Sequence, residues 1–457
     1  MYLDYDVVII GAGPAGLFAG YTLLGKKVAI IEKGKAPHDR NCPLKNNYHC
    51  GCCNPCNIMS GVGGAGLFSD GKLNFIPKLG KTNLVKILGD GEKAKKLIED
   101  TEDIFNEFGM NGDVYPKDMQ KALEIKKKAL KEGVDLLLIK QKHLGSDKLP
   151  EYITEMMDYL KKGGLEFILN EEVKEFIVED NQIKGVKTNK QDIKSKYVIA
   201  CPGRVGEGWL YKECQKLGIL VNYRGVEIGV RVEVPNEIMD EITDVIYDPT
   251  FFINSSCDDQ VRTFCTNKGG FVSQEYYKDF VCVNGHAEKD RKSKNTNFAL
   301  LSKVTLTEPV TDGYKYGASI GQLATTIGGG KPIIQRFVDL KKSRRSTPKR
   351  LSKSYVEPTL TDVTPGDISM AMSKRIVTNI IEGIEKLDKV IPGIASDATL
   401  LYAPEIKFFC NEIENECLKT SIDGLYVAGD GAGVSGNIVS SAATGVLAGR
   451  RILEEIN

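Results

Sequence analysis

The sequence lacks a net charge, because 61 Lys and Arg residues balance 61 Asp and Glu residues. Overall charge is therefore not expected to draw the chain to nucleic acid or to an anionic membrane. No run approaches the roughly 18 apolar residues that a membrane-spanning helix needs. The first residues carry two aspartates and no basic segment of the kind that begins a secretory signal. We expect a cytoplasmic protein that does not bind membranes.

Histidine is scarce, with four residues in 457, and no internal repeat is evident. The length predicts two or three domains, and 42% hydrophobic with 27% charged residues is ordinary globular composition. Glycine and cysteine are unevenly placed. The glycines concentrate in residues 1–34, 51–71 and 424–449, and five of the twelve cysteines fall within residues 42–56. These segments predict close backbone approaches and a group of thiols.

The first glycine-rich segment has the pattern of a dinucleotide-binding turn. Residues 5–10 predict a buried strand, and Gly11, Gly13 and Gly16 form a G-x-G-x-x-G before a predicted helix. Gly11 allows the tight turn, Gly13 lets a pyrophosphate approach, and Gly16 lets the helix pack on the strand. Glu32, at the end of the next predicted strand, is expected to accept hydrogen bonds from ribose hydroxyls. This fingerprint alone does not separate NAD from FAD.

A second segment favours FAD. Residues 424–433 resemble the C-terminal Gly-Asp motif of glutathione-reductase-type flavoproteins, and residues 197–203 resemble a further strand of that superfamily, although Cys201 and Pro202 depart from its pattern. By this resemblance Asp430 holds the ribityl chain, and residues 431–437 lie near the isoalloxazine ring. The candidate FAD-binding residues are Gly11, Gly13, Pro14, Ala15, Gly16, Glu32, Lys33, Gly61, Gly63, Gly64, Ser69, Gly203, Gly429, Asp430, Gly436, Asn437 and Ile438.

The cysteine group has the spacing of a metal site. Cys50, Cys53 and Cys56 form C-x₂-C-x₂-C, and Cys42, followed by proline, adds a fourth thiol. This set predicts an iron–sulfur cluster of the [4Fe–4S] type, although in ferredoxins the remote cysteine follows the triplet. Zinc and a metal-free redox thiol group are the alternatives. Residues 60–71 follow directly, and their glycines suit backbone that passes against a flat ring.

The whole chain resembles the uncharacterised FAD-dependent dehydrogenase family of anaerobic bacteria and related organisms. The matching stretches are residues 50–72, 143–149, 294–300, 335–336, 364–367 and 429–436. The resemblance implies an FAD-dependent dehydrogenase but no particular substrate, since the family has no agreed one. More distantly, the chain resembles aromatic hydroxylases and polyprenyl reductases.

Two histidines are candidate catalytic residues. His143 lies in a polar motif before a predicted helix at 151–162, where it could act as a general acid or bind an anion. His286 and the polar side chains of residues 295–297 lie on predicted β-runs of a second lobe. Structural hydrogen bonding is the competing interpretation for each of them.

The most basic stretch is residues 341–353, with seven Lys or Arg residues in thirteen. A solvated loop is one interpretation. The other is anion binding, to a substrate carboxylate or phosphate, to NAD(P)H as a transient donor, or to an acidic electron carrier such as ferredoxin. Nucleic acid is disfavoured, because aromatic residues are absent from the stretch.

These observations predict an α/β protein with a Rossmann-like, discontinuous FAD-binding domain of the glutathione-reductase type and an inserted mixed α+β substrate lobe. The expected divisions are 1–75 for the first FAD-binding part with the cysteine loop, 76–150 for a helical insertion, 151–205 for the middle FAD-binding part, 206–360 for the substrate lobe and 361–457 for the C-terminal FAD-binding part.

The predicted function is an FAD-dependent oxidoreductase that acts on a small organic substrate by flavin hydride transfer, with electrons relayed by the cysteine-bound cluster. An FAD monooxygenase is one alternative. The other is a flavoprotein with a zinc knuckle that serves as a binding or RNA-modification partner.

Overall fold

The computed structural model describes residues 3–42, 53–69, 71–80, 82–145, 148–277, 279–288, 291–305 and 312–456. The chain forms two compact units. Unit 1 comprises Met1–Asp113, Lys142–Arg224 and Phe409–Asn457, and unit 2 comprises Val114–Gln141 and Gly225–Phe408.

The described residues form two main β-sheets and several small ones. They are β1 (Leu3–Ile10), β2 (Val28–Glu32), β3 (Lys72–Phe75), β4 (Lys78–Leu79), β5 (Thr82–Asn83), β6 (Asp113–Tyr115), β7 (Val134–Leu137), β8 (Lys140–His143), β9 (Glu166–Leu169), β10 (Val173–Glu179), β11 (Gln182–Thr188), β12 (Asp192–Ala200), β13 (Val221–Asn222), β14 (Val226–Pro235), β15 (Thr250–Asn254), β16 (Gln260–Asn267), β17 (Phe271–Tyr276), β18 (Val281–His286), β19 (Asn295–Val304), β20 (Ile333–Arg336), β21 (Thr364–Pro365), β22 (Leu400–Phe408), β23 (Glu412–Ile413) and β24 (Leu425–Val427).

The α-helices are α1 (Pro14–Thr22), α2 (Leu84–Leu88), α3 (Gly91–Glu107), α4 (Met119–Lys131), α5 (Leu149–Lys162), α6 (Glu207–Lys216), α7 (Asn236–Thr243), α8 (Gly313–Ile327), α9 (Phe337–Lys341), α10 (Pro348–Leu351), α11 (Lys374–Val390) and α12 (Ile438–Ile456). Short 3₁₀ turns occur at Pro37–Asp39, Gly64–Phe68, Arg204–Gly206, Ile368–Met370 and Asp430–Ala432. The helix predicted at 151–162 is confirmed as α5.

Unit 1 is built on a sheet in the order β10-β11-β12-β1-β2-β9, and β24 also pairs with β12. The pairs β12–β1, β1–β2, β2–β9 and β12–β24 are parallel. Val7, Val8 and Ile9 of β1 have no exposed surface. A near-continuous apolar strand is typical of a parallel sheet that is covered on both faces. The predicted β-α-β unit is therefore present as β1, α1 and β2.

Helices α1 and α12 of unit 1 approach each other closely. A Cβ placed on Gly445 of α12 would lie 2.0 Å from the carbonyl oxygen of Ala15, and one on Gly449 would lie 2.9 Å from Thr22 Cβ. Only residues without a side chain allow this spacing. Helices α1 and α12 follow β1 and β24, and both strands run parallel to β12, so the two helices begin at the same edge of the sheet.

Unit 2 is built on an eight-stranded sheet in the order β21-β20-β22-β14-β19-β16-β15-β7. It is antiparallel apart from the β20–β21 pair. Its core is a separate apolar cluster that includes Val230, Phe298 and Ile380. The unit is the inserted mixed α+β lobe that the sequence predicts.

The boundaries of the two units differ from the expected divisions. The main segment of unit 2 begins at Gly225 and not at residue 206, because α6 packs its Leu210 and Cys214 into the core of unit 1. It extends to Phe408 because β22 pairs with β14. The expected helical insertion at 76–150 is divided, since β7 pairs with β15 and carries residues 114–141 into unit 2.

Among the described residues, no helix is long and apolar enough to cross a membrane.

Candidate functional site

The dinucleotide turn of unit 1 has two glycines at which a side chain would clash with the backbone and one with free space beside it. Gly11 has φ +99°, and a Cβ on it would lie 2.4 Å from the Cys201 carbonyl oxygen. A Cβ on Gly16 would lie 1.9 Å from the Gly11 carbonyl oxygen. The nearest atom to a Cβ on Gly13 is the Gly64 Cα, 3.9 Å away. Gly11 and Gly16 thus have the turn and packing roles that the sequence predicts, and the pyrophosphate contact of Gly13 stays a prediction.

The first turn of α1 follows this opening. Pro14 occupies the first helical position, where a missing N–H costs nothing, and Ala15 is buried. The free N–H groups at the start of such a helix are suited to phosphate oxygens. Lys33, which follows β2, is half-buried.

The second glycine loop lies directly against the dinucleotide turn. Gly61 has φ +119°, and the Gly63 N–H donates to the Ala12 carbonyl at 2.8 Å. Gly64 has φ +59°, and a Cβ on it would lie 3.1 Å from Gly13 Cα. The structure therefore brings together two of the predicted cofactor segments. Ser69, at the end of the loop, donates to the Gly66 carbonyl at 2.8 Å.

Glu32 connects three loops. Its carboxylate is buried and accepts hydrogen bonds from the backbone N–H groups of Ala12, Gly34 and Gly61, each at 2.9 Å. A carboxylate has about four lone-pair positions, so about one remains for a ribose hydroxyl. The predicted ribose contact stays a prediction, and Glu32 also has a structural role that the sequence analysis missed.

Arg40 is a further residue that the sequence analysis missed. Its side chain is 3% exposed and donates to the carbonyls of Asn57, Ile58 and Val62 at 2.9, 2.8 and 2.7 Å. The guanidinium also lies 4.9 Å from the centroid of the Phe68 ring. Burial lowers the pKa of Arg40 to about 10, while neighbouring acidic groups act in the opposite direction. One side chain thus holds the segment between the cysteines and the second glycine loop. No sequence pattern indicates this role, because it depends on the fold bringing Arg40 next to residues 57–62.

The third segment combines the ends of β12 and β24. Gly203 has φ +66°, and a Cβ on Gly431 would lie 2.3 Å from the Gly203 carbonyl oxygen. A Cβ on Gly429 would lie 3.1 Å from the Ala15 Cβ. The Asp430 carboxylate accepts hydrogen bonds from Arg204 Nη2 at 2.9 Å and Nε at 3.2 Å. The predicted ribityl ligand is therefore ion-paired through its Oδ2 atom.

The start of α12 lies against the second glycine loop. Asn437 precedes the helix, and its Oδ1 accepts a hydrogen bond from the Ser440 N–H at 2.9 Å. A Cβ placed on Gly66 would lie 3.6 Å from Ile438 Cδ1. A Cβ placed on Gly436 would lie 3.6 Å from Thr82 Oγ1. The three predicted cofactor segments therefore converge within unit 1.

These segments fit FAD. Gly203 has no atom within 4 Å of a Cβ position, and Gly13 faces nearly open space. Buried polar atoms without a partner in the described structure include Ser60 Oγ, Asn437 Nδ2 and Arg224 Nε. Because buried polar atoms are normally hydrogen-bonded, the orphaned atoms of Ser60, at the second glycine loop, and Asn437, at the start of α12, suit a polar ligand, whereas Arg224 lies outside the three segments.

The cysteine group is only partly described. Cys42 and Cys56 are half-buried, Cys53 is exposed, and all three are free. Cys50 lies outside the described residues, as do Cys52 and His49. The part of the chain that the structure describes contains no group of three His, Cys, Asp or Glu side chains that could hold a metal ion. The cluster therefore stays a prediction.

The two candidate catalytic histidines lie in different units. His143 ends β8 in unit 1 and is half-buried. His286 ends β18 in unit 2, where its Nε2 lies 3.4 Å from Glu288 and its ring stacks on Phe271 at 5.8 Å. Neither unit contains both side chains, so no histidine pair forms within a unit.

The side-chain amides of Asn295 and Asn297 each make a hydrogen bond within unit 2. Asn295 Nδ2 donates to the Glu357 carbonyl at 2.7 Å, and Asn297 Oδ1 accepts from Arg231 Nη1 at 3.0 Å. Arg231 is itself fully buried and ion-paired with Glu405. Asn297 Nδ2, in contrast, is buried and has no hydrogen-bond partner among the described residues, so a role for this amide in substrate binding stays a prediction.

Three family models match the chain. "FAD binding domain" matches residues 6–38, "FAD-dependent protein, C-terminal domain-like" matches residues 225–407, and "Glucose inhibited division protein A" matches residues 360–457. The second of these coincides with the main segment of unit 2. An uncharacterized protein of Clostridium beijerinckii is 24% identical, over 98% of this chain and 81% of the relative.

Solved structures also match the chain, at low similarity. A variant of the E. coli quinol fumarate reductase FrdA is 11% identical with a TM-score of 0.46, covering 99% of this chain and 71% of that chain. A geranylgeranyl bacteriochlorophyll reductase-like protein from Thermoplasma acidophilum is 13% identical with a TM-score of 0.41, covering 100% and 79%. Similarity at this level says nothing of the substrate.

The family matches agree with the converging segments. The model for an FAD-binding domain covers most of β1, the glycine turn, α1 and Glu32, and a model for FAD-dependent proteins covers the main segment of unit 2. FAD is a redox cofactor whose chemistry is directed by the protein around it. The protein is therefore an FAD-dependent oxidoreductase with an FAD-binding domain of α/β fold.

Proposed function

We propose that the protein oxidises or reduces a small organic substrate by hydride transfer through an FAD that the three converging segments of unit 1 hold. The observation that carries this proposal is the contact between Gly13 and Gly64, next to the start of α12. Two backbone segments without side chains, separated by fifty residues, suit the approach of an extended cofactor.

Each segment contributes a different interaction. When bound, FAD supplies two-electron hydride chemistry and can also accept single electrons. The start of α1 offers N–H groups to the pyrophosphate, and the remaining lone pair of Glu32 suits a ribose hydroxyl. Arg204 fixes the Asp430 carboxylate, so that its other oxygen can accept a ribityl hydroxyl.

The second half of the site orients the ring. Asn437 caps α12, and the partial positive charge at the start of that helix favours negative charge on a group bound there. Asn437 Nδ2 is a buried donor that still needs an acceptor. These features support binding of the electron-rich end of an isoalloxazine ring.

The test of this proposal is the cofactor content of the purified protein. We expect a visible spectrum with flavin bands, about one FAD per chain on extraction, and bleaching of the flavin bands by the correct substrate without oxygen. A chain that binds no FAD at saturating concentration would contradict the proposal. Stoichiometric oxygen uptake with substrate hydroxylation would favour a monooxygenase instead.

We also infer that Cys42, Cys50, Cys53 and Cys56 hold an iron–sulfur cluster, with zinc as the alternative metal. Support comes from the spacing of the cysteines and from Arg40, which fixes the residues between Cys56 and the second glycine loop. A cluster of this kind supplies single electrons when bound.

Metal analysis of anaerobically purified protein tests this inference. We expect iron and sulfide, with loss of the iron and retention of FAD in Cys53→Ser and Cys56→Ser. Cys257→Ser is the matched control, because Cys257 is a half-buried free thiol of unit 2. Zinc without iron would contradict the inference and leave the FAD proposal intact.

We place the protein in the cytoplasm. The ten cysteines that the structure describes are all free thiols. Reduced thiols are the rule in the cytosol, where disulfides are rare. Disulfide bonds found by mass spectrometry in protein isolated with its thiols blocked would contradict this placement.

A further inference from the structure

Residues 341–356 of unit 2 contain seven Lys or Arg residues and no Asp or Glu. The segment runs from the end of α9, through a turn at 342–347, to α10 and the residues after it. The sequence leaves open whether these cations belong to a solvated loop or to a binding surface. The contacts of each side chain separate the two interpretations.

Three of the seven cations are held within the unit. Arg344 Nε donates to Asp339 Oδ1 at 2.7 Å, and the Asp339 side chain is fully buried. Arg350 Nη1 donates to the Arg345 carbonyl at 2.6 Å. Lys341 Nζ lies 3.6 Å from a carboxylate oxygen of Glu385. These cations stabilise the local fold.

The backbone of the segment is anchored to buried groups. Ser346 is 1% exposed, and its hydroxyl donates to Asp339 Oδ2 at 2.8 Å. Gln335 is fully buried, and its Nε2 donates to the Arg344 carbonyl at 2.9 Å. Ser354 Oγ donates to the Ala398 carbonyl at 3.0 Å. The segment is therefore not a loosely solvated loop.

The other four cations are exposed and lack a carboxylate. They are Lys342, Arg345, Lys349 and Lys353. Within the described residues, no Asp or Glu oxygen lies within 4.0 Å of their charged nitrogens. We call these four residues the basic surface. In a chain of zero net charge, four unpaired cations on an anchored segment are a local concentration of charge.

We propose that the basic surface docks an acidic electron-carrier protein. This inference rests on the proposed redox function, which needs a source or acceptor of electrons. The four side chains are exposed and spread over twelve residues, which suits a broad acidic protein surface better than a single phosphate in a pocket. Next to them, Tyr355 is 68% exposed, and tyrosine is enriched in protein–protein interfaces.

The electron count fits a carrier of this class. Reduction of an organic substrate by two electrons requires two molecules of a one-electron carrier, each of which is oxidised once. Two protons from solvent balance the two electrons. The acidic carrier is the reductant, and the organic substrate is the final acceptor.

Charge reversal tests the docking. The variant Lys342→Glu, Arg345→Glu, Lys349→Glu, Lys353→Glu is compared with Lys121→Glu, Lys127→Glu, Lys128→Glu, Lys131→Glu. The second set consists of exposed lysines of α4, so both variants change the net charge equally. The probe is an acidic bacterial ferredoxin, and its association is measured by biolayer interferometry at about 20 mM and about 300 mM salt.

We expect association at low salt with the unmodified chain and with the α4 variant, and an association rate lower by about tenfold or more in the basic-surface variant. High salt should remove most of the difference. Equal association rates for the two variants would overturn the proposal, as would retention of RNA but not ferredoxin by the basic surface.

A second measurement separates this proposal from the proposed function. Reduction of the bound flavin by dithionite, which needs no docking, should be the same in both variants, and only ferredoxin-coupled reduction should slow. A chain that binds ferredoxin through the basic surface but holds no FAD would refute the proposed function and leave the docking intact. Flavin reduction by ferredoxin at equal rates in both variants would refute the docking alone.

Discussion

The carboxylate of Glu32 accepts a hydrogen bond from the Gly61 N–H at 2.9 Å, across 29 residues of sequence. The same Oε1 atom accepts from the Gly34 N–H, and Oε2 accepts from the Ala12 N–H. An acidic residue expected only to contact a ligand therefore also joins the dinucleotide turn to the loop that follows the cysteines. Cofactor binding and loop geometry depend on one side chain.

Glu32→Gln should weaken FAD binding. Both carboxylate oxygens are used, so whichever way the Gln amide turns, at least one buried N–H loses its acceptor. The apoprotein and the FAD complex both lose this bond, so the unfolding free energy falls by about 1–3 kcal/mol, and the displaced loops bind FAD more weakly. Titration of the apoprotein with FAD, followed by fluorescence quenching, measures it. Glu172→Gln, at a half-exposed ion pair with Lys174, is the control and should leave binding unchanged.

Gly13→Ala and Gly16→Ala should fail in different ways. A Cβ at Gly13 meets no atom closer than 3.9 Å, so the apoprotein should lose less than about 1 kcal/mol of unfolding free energy while FAD binding is lost. A Cβ at Gly16 would lie 1.9 Å from a carbonyl oxygen, so stability should fall by about 2 kcal/mol or more.

Thermal unfolding and flavin content distinguish the two glycine variants. Gly91→Ala is the control, because nothing lies within 4 Å of its Cβ position at the start of α3. It should leave both measurements unchanged. Full FAD binding by Gly13→Ala would refute the assignment of the open face of Gly13 to the pyrophosphate.

Arg40→Met should destabilise unit 1 by about 3 kcal/mol. Three carbonyls lose the guanidinium that donates to them, and each buried acceptor left without a partner costs about 1 kcal/mol or more. Denaturation by urea measures the change. Arg450→Met is the matched control, because Arg450 is 43% exposed in its ion pair with Asp100 and should cost at most about 1 kcal/mol. Equal destabilisation of the two variants would rule out the role of Arg40.

The stability of the Glu207→Gln variant, compared with that of the original chain, should increase as the pH rises from about 4.5 to about 8. Burial raises the pKa of Glu207 above its ordinary value of 4.5, although the Asn411 N–H, which donates to it at 2.7 Å, acts in the opposite direction. A raised carboxyl pKa means that the folded chain binds more protons than the unfolded chain. The original chain therefore loses stability as the pH rises through this range, and the Gln variant does not.

Melting temperatures across this pH range measure the difference between the Glu207 variant and the original chain. Asp259→Asn is the opposite control, because its hydrogen bond with Arg375 lowers the pKa of Asp259 below 3.8. Its destabilisation should be constant over the same range, since that carboxylate is ionised throughout. A pH-independent difference for Glu207→Gln would contradict the raised pKa.

Local patterns were sufficient to predict the elements of unit 1 that carry the cofactor segments. Residues 5–10 are apolar and short, and the glycine spacing that follows has one common structural explanation. The predicted strand lies within β1, and the fingerprint leads into α1. These features depend on near neighbours in the chain, so sequence alone reveals them.

The extent of unit 2 depends on distant pairing. Nothing local in residues 134–137 or 400–408 indicates that they join one sheet, but β7 pairs with β15 and β22 pairs with β14. Strand pairing over such separations is decided by side-chain packing across the whole sheet. The expected lobe at 206–360 therefore omits residues 114–141 and 361–408, which belong to unit 2.

Local patterns along the chain reveal the three glycine segments, the acidic residue after β2 and the concentration of basic residues at 341–353. The fold adds that Glu32 and Arg40 fix the loops between these segments. Among the described residues, it also shows that three of the seven basic residues have partners within unit 2, whereas four lack a carboxylate. This difference arises because a glycine pattern reports the local backbone conformation. The partners of a charged side chain depend on which distant residues the fold brings within a few ångströms of it.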